Sequence, residues 1–366
     1  MISNEQTRQI INAMVNHKTL DVPDNIQEVA QVFKDHSLIH QLYFVFKDQR
    51  LKKYYLSAAI IYEKQSAIIA NIKNIFNKSN IDFILLKGSV IRNIYPSYFL
   101  RMQGDIDVLV RESDFEFAKE KLINEGFIQE CAWSHHIQFK KDNLVIELHN
   151  FLFGDKNLWN GYFIMPFANA HIKDEHEYEF NNLYFVMYEI AHLAKHFTGD
   201  GAGLRPFIDF YYIFSKSNIN FMEIKSECKK INLDKFFNSI INVLNYFFNY
   251  DKVEFEPIDC LDDYIQMIKQ SGIHGHSKNS NYYANRFASK RQSKFSYYLS
   301  ILFPSHSKMK LLYPYLNKHP LLFPFARIAR IFSCIFVKSK NIKKIEGAKK
   351  DISRYKNIYE EIGLRH

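Results

Sequence analysis

Ile81-Asp82-Phe83-Ile84-Leu85-Leu86-Lys87-Gly88-Ser89, followed sixteen residues after Ser89 by Asp105-Ile106-Asp107-Val108-Leu109-Val110, is the stretch that decides the fold. Its first half is a short apolar run that stops at Lys-Gly-Ser, the pattern of a buried strand running into a turn. Its second half alternates. Asp105, Asp107 and Leu109 fall on one face and Ile106, Val108 and Val110 on the other, which is the period of a strand.

The pattern continues on either side. Ser113 with Glu116 three residues later has the form of a capping box, and the helix it opens is expected to end near Gly126. Two more strands are expected, roughly Ser134 to Lys140 and Leu144 to Asn150, joined at Lys141-Asp142-Asn143. In the second, Leu144, Ile146 and Leu148 share one face and Val145, Glu147 and His149 the other. Upstream, apolar residues from Leu51 to Phe76 recur at helical spacing, and the first eighty residues read as helices. Beyond Trp159 the patterning is mainly helical, with Tyr184 to Phe197 and Arg205 to Ser215 as candidate helices. The expected class is α+β: a small mixed sheet in a core at 81–158, between an N-terminal helical region at 1–80 and a C-terminal helical domain at 159–366. No internal repeat or low-complexity linker stands out.

Two carboxylates converging from one rigid strand can hold a divalent ion, and Mg²⁺ prefers such hard oxygen ligands together with phosphates. An isolated Asp-x-Asp is weak evidence, but three companions strengthen it. Gly88 and Ser89 stand where a strand gives way to a helix, so backbone N–H groups and a hydroxyl can grip a phosphate, and Lys87 adjoins them. Glu147 sits on the polar face of another strand, where a third carboxylate would complete a two-metal cradle for phosphoryl displacement. Without metal, three such acids should repel one another and hold protons. Arg101, four residues before Asp105, can neutralise phosphate charge or lie on the surface. His149 shares the face of Glu147. His192 and His196 are one helical turn apart, but with no third ligand evident they do not define a zinc site.

These motifs, in this order, resemble the DNA polymerase β-like nucleotidyltransferase superfamily. More closely, the chain is similar to a bacterial family of uncharacterised nucleotidyltransferases. The likeness rests on Leu-Leu-Lys-Gly-Ser, on Leu100-Arg101-Met102-Gln103-Gly104-Asp105 through Val110, and on Ile146-Glu147-Leu148-His149. It continues through His192 to Asp209, with weaker echoes at Leu302-Phe303-Pro304-Ser305, Tyr313-Pro314 and Leu322 to Arg330. The resemblance implies Asp105, Asp107 and Glu147 as ligands of Mg²⁺ or Mn²⁺, and Gly88 and Ser89 at the triphosphate of an NTP donor. It places His196, Arg205 and Asp209 as packing or substrate-side groups, although Asp209 and Arg205 are also spaced to pair at i, i+4. Two departures stand out. The Ser89-to-Asp105 gap is longer than in minimal superfamily enzymes, and the third acid is Glu where many relatives use Asp.

Bulk properties narrow the setting. The net charge is +9 and 47% of residues are hydrophobic, enough for a real core and a surface that attracts NTPs, nucleic acid or anionic lipid without choosing among them. The densest basic stretch is Lys338 to Lys350. Cys131, Cys228, Cys260 and Cys334 form no CxxC pair, which fits a reducing cytoplasm. No signal peptide is evident. Leu321 to Val337, interrupted by Arg327 and Arg330, reads as a buried or surface-lying helix and not as a transmembrane span. The expected reaction moves an NMP from the NTP to an acceptor hydroxyl on a small molecule, glycan precursor, peptide, protein or RNA. A metal-dependent glycosyltransferase also uses Asp-x-Asp, but the Gly-Ser turn and second acidic strand argue against it. Intact acids argue against a catalytically silent nucleic-acid-binding protein.

Overall fold

The computed structural model describes residues 2–273 apart from 133–134, 155–156, 200 and 217–218, together with 285, 288–289, 303–304, 306–317, 319–337 and 349–365. His274-Gly275-His276, Leu302, Ser305 and most of the Lys338-to-Lys350 stretch lie outside the described residues.

The chain opens with helices α1 (Asn4–Val15), α2 (Ile26–Asp35), α3 (Leu42–Phe46) and the long α4 (Gln49–Lys78). α4 starts where the Asp48 carboxylate accepts from the Arg50 N–H, a side-chain cap for an otherwise orphaned donor. Strand β1 (Phe83–Leu85) leads through a turn into the short helix α5 (Gly88–Ile91). Then come β2 (Asp105–Val110), helix α6 (Phe115–Asn124), β3 (Ile128–Ala132), β4 (His136–Lys141) and β5 (Leu144–His149). Asp142 and Asn143 both have positive φ (51° and 63°), as the tight turn between antiparallel strands requires. Beyond a loop lie β6 (Ala170–Asp174) and β7 (Glu177–Phe180), then α7 (Asn182–Thr198), α8 (Arg205–Lys216), α9 (Phe221–Lys230), α10 (Asp234–Phe248) and α11 (Leu261–Ser271).

The class is α+β, with a seven-stranded mixed sheet in the order β3-β4-β5-β2-β1-β7-β6. β2 runs parallel to β5, and β1 parallel to β7. Alternation divides the sheet's side chains between two cores. Phe83, Leu85, Ile106, Val108, Ile146 and Leu148 pack with Ile68, Ile72 and Phe76 of α4 and with Ala118 and Leu122 of α6. Ile84 and Leu109, pointing the other way, join the larger core built mainly from the helices that follow the sheet. Asp105 and Asp107 share that second face, so they look towards the helices.

Two local expectations are corrected, and one strand is added. Ser113 is not a helix cap: it lies in a 3₁₀ turn at Glu112–Asp114 and donates its hydroxyl to Asp114 Oδ1, while Glu116 pairs with Lys119. The turn consumes the residues a capping box would need. β6 and β7 lie where only helical patterning is legible, because they are short and Glu177 breaks the apolar alternation. Buried Glu177 is instead neutralised by Lys73 of α4. β3, exposed along its length, also lacks a legible apolar face. No described helix is long and apolar enough to cross a membrane.

Candidate active site

β2 and β5 lie side by side with Asp105 opposite Val145 and Asp107 opposite Glu147. Glu147, forty residues beyond Asp107 in sequence, is thus its direct neighbour. His149 follows two positions on, so period 2 returns it to the same face, and its Nε2 lies 3.0 Å from Asp107 Oδ1 and 3.4 Å from Glu147 Oε2. From β4, His136 reaches Glu147 Oε1 at 3.6 Å.

At the end of β1, Lys87 takes a positive φ of 47°, a conformation strained for a non-glycine residue. The turn sends its Nζ to Asp107 Oδ1 at 2.6 Å. Gly88 comes next, and a Cβ there would meet the Gln103 side chain at 2.8 Å, so only glycine lets the turn press against the Gly104 approach to β2. Ser89 is buried behind this turn. Its hydroxyl donates to Gln103 Oε1 (3.4 Å) and its backbone N–H to Leu86 O, so neither of its donors is turned to the acids.

Lys87, Asp105, Asp107, His136 and Glu147 floor a cavity of about 290 Å³ whose opposite wall is α7 and α8, and neither Ser89 nor His149 is in its lining. Lys87, Gly88, Arg101, Asp105, Asp107, Glu147, His196, Arg205 and Asp209 all line it. Arg101 reaches across the interface: its Nε and Nη2 donate to the two Asp209 carboxylate oxygens at 2.7 and 2.9 Å, and Tyr95 donates to the same carboxylate. Asp209 is therefore engaged by Arg101 and not by Arg205 one helical turn away. Arg205 instead donates to Met102 O (3.2 Å). His192 and His196 face each other at 3.3 Å.

Charge compensation in the floor is uneven. The Asp107 charge, then burial, pushes the Asp105 carboxyl up to about 6. Burial also pushes Asp107 upward, but Lys87 and His149 outweigh it and hold this carboxyl well below the usual range. Glu147 behaves likewise: burial raises it, and the His149 hydrogen bond leads the groups that bring it down. The expected mutual repulsion therefore concentrates on Asp105, because Lys87 and His149 supply the compensating donors for the other two. In the opposite wall, burial, then the Asp209 charge, raises Glu189 to about 8, and its Oε1 has no hydrogen-bond partner.

Asp107, Glu147 and His149 present donor atoms all within 4.8 Å of one another. An ion with bonds of about 2.0–2.1 Å sets its ligands about 2.9 Å apart when adjacent and up to about 4.2 Å when opposite, a range that includes the 3.0 Å and 3.4 Å separations of His149 from Asp107 and Glu147, so the donor set suits a divalent cation. His149 Nδ1 is buried without a partner. Without an ion, the less costly tautomer carries its proton on Nε2, towards Asp107, because a bare buried N–H costs more than a bare lone pair; for His149 to hold an ion through Nε2, that proton would have to sit on Nδ1 instead.

Sequence reading did not find Gln103, His136, Glu189 or Lys195, which also line the cavity. Glu189 had a signal. It precedes His192, Leu193 and His196 by three, four and seven residues, one face of one helix.

A family model described as Uncharacterised nucleotidyltransferase matches residues 40–249, a span that holds both walls of this cavity. It covers more than half of the chain, which belongs to this family and is a nucleotidyltransferase. A search of curated proteins finds no match.

Proposed function

We propose that the enzyme transfers an NMP from an NTP to an acceptor hydroxyl, with Asp105, Asp107 and Glu147 holding Mg²⁺ or Mn²⁺. The observation that carries this reading is the β2–β5 register, which sets Asp107 beside Glu147 on the floor of a cavity walled by Lys87, Lys195 and Arg205. Bound to these acids, a divalent ion would polarise the α-phosphate and help form the nucleophile. The chain's own groups do the rest. Lys87 supplies a fixed positive charge at the phosphate side, and the side-chain-free Gly88 lets the triphosphate approach the backbone. Ser89 and Arg101 hold that arrangement from behind, Ser89 through Gln103 and Arg101 through Asp209. His149 orients Asp107 and Glu147, while His196, Arg205 and Asp209 form the wall towards the acceptor.

Calorimetry with each of the four NTPs, with and without Mg²⁺ or Mn²⁺, tests this. Binding should require the metal. Equal or negligible binding with and without it would sink the proposal.

A further inference from the structure

Glu189 of α7 lines the cavity and is only 8% exposed. Its Oε1 has no hydrogen-bond partner, and no ion pair joins it to a described residue. A carboxyl so buried ordinarily has a cation or a set of donors beside it. The two cations that act on it, Lys87 and Arg101, are already bonded to Asp107 and Asp209. Burial and the Asp209 charge therefore leave it holding a proton at neutral pH in the protein alone.

With histidines counted as neutral, the charges lining the cavity leave one acid over. Lys87, Lys195 and Arg205 match the three floor acids, and Arg101 matches Asp209. A triphosphate with its divalent ions adds no net positive charge, and a nucleobase is uncharged at neutral pH, so the partner for Glu189 falls to the acceptor. We propose that the acceptor is an amino alcohol, whose protonated amino group docks on Glu189 while its hydroxyl reaches the acidic floor; this rests on the transfer reaction proposed above. A hydroxyl or an amide N–H would satisfy the carboxyl oxygen but leave the surplus acid uncancelled. An ammonium takes the place of the proton and cancels the charge. Leu193, Phe210 and Ile213 line the cavity from the same wall and give the acceptor's carbon skeleton an apolar surface, where a charged hydrogen bond is stronger than in water.

2-Aminoethanol and ethylene glycol are a matched pair of probes, one with the cation and one without. With Mg²⁺ and an α,β-methylene NTP, which cannot transfer, NMR titration of the full chain should show 2-aminoethanol binding at least about tenfold more tightly, the difference between a charged and a neutral hydrogen bond. Glu189→Gln keeps the shape and removes the charge. It should erase this preference and retain metal-dependent NTP binding. Equal affinity of the wild type for the two probes, absent binding of both included, would overturn the proposal, as would a preference that survives in Glu189→Gln. A changed ranking of the four NTPs in the variant would place Glu189 at the donor's base and overturn it too. Calorimetry of the wild type with metal and NTP alone keeps the two readings apart: failure there removes the transfer reaction itself, whereas failure of the probe pair alone removes only the amino-alcohol acceptor.

Discussion

The two walls of the cavity handle charge in opposite ways. The sheet wall collects three acids, and on the metal-free protein Lys87 and His149 compensate Asp107 and Glu147 while Asp105 keeps the residual repulsion. The helical wall has its main carboxylate, Asp209, neutralised from across the cavity by Arg101, and leaves Glu189 buried with an oxygen that no donor reaches. On the reading proposed above, the first wall is the one that would receive a cation, while the second is neutralised from across the cavity. Acids in one cavity can thus have different structural roles.

Neutralising the two aspartates separately should produce the largest difference. Asp105→Asn and Asp107→Asn should each reduce nucleotidyl transfer by on the order of 10³ or more. Their effects on the metal-free fold should diverge. Asp105→Asn relieves repulsion and should leave the melting temperature unchanged or raise it. Asp107→Asn strands a buried ammonium, and removing one partner of a buried pair costs about 3–5 kcal/mol. Calorimetric melting of both variants without metal, beside a transfer assay, decides this; parallel shifts would show that the floor is not compensated as described.

Next in size is the joint between the walls. Arg101→Met leaves the Asp209 carboxylate in an almost fully buried setting, with an expected loss of about 3–5 kcal/mol. The double variant Arg101→Met/Asp209→Leu should recover much of it, because no uncompensated charge remains. Urea unfolding of the single and double variants measures the difference, and a double variant no more stable than the single would remove Arg101–Asp209 as the reason for the loss.

Glu189 should produce a smaller, pH-dependent effect. Its folded value is raised from 4.5 to about 8, so the folded state holds a proton that the unfolded chain releases above 4.5. The stabilising contribution is therefore complete below about pH 4.5 and is lost as pH rises through 8. Glu189→Gln has no such proton to lose. The melting temperature of the wild type relative to this variant should fall from pH 5 to pH 9, and a constant difference across that range would contradict the burial-driven shift.

The smallest effect belongs to Ser89. With its hydroxyl already donating to Gln103, Ser89→Ala removes one neutral hydrogen bond, worth about 0.5–1.5 kcal/mol, and should slow transfer less than about tenfold. A steady-state rate loss of 10² or more would instead place the hydroxyl on the phosphates.

Period 2 made the sheet floor legible. Alternation around Asp105 and Glu147 identified both strands and the polar side of each, because a strand's side chains follow its sequence directly. The same local reading named the helices that became α4, α7 and α8. It could not show that Lys87 compensates Asp107, since a twenty-residue separation carries no geometric information until β1 and β2 pair. Nor could it choose between Arg101 and Arg205 as partner for Asp209: helical spacing made Arg205 the obvious local neighbour, and packing of the sheet against α8 brought Arg101 within reach. By itself the sequence determined which residue types could do phosphoryl chemistry and on which strand faces they lie. Only the tertiary structure decided which charges meet, because charge pairing depends on distances of a few ångströms that arise when distant segments are packed into one low-dielectric space.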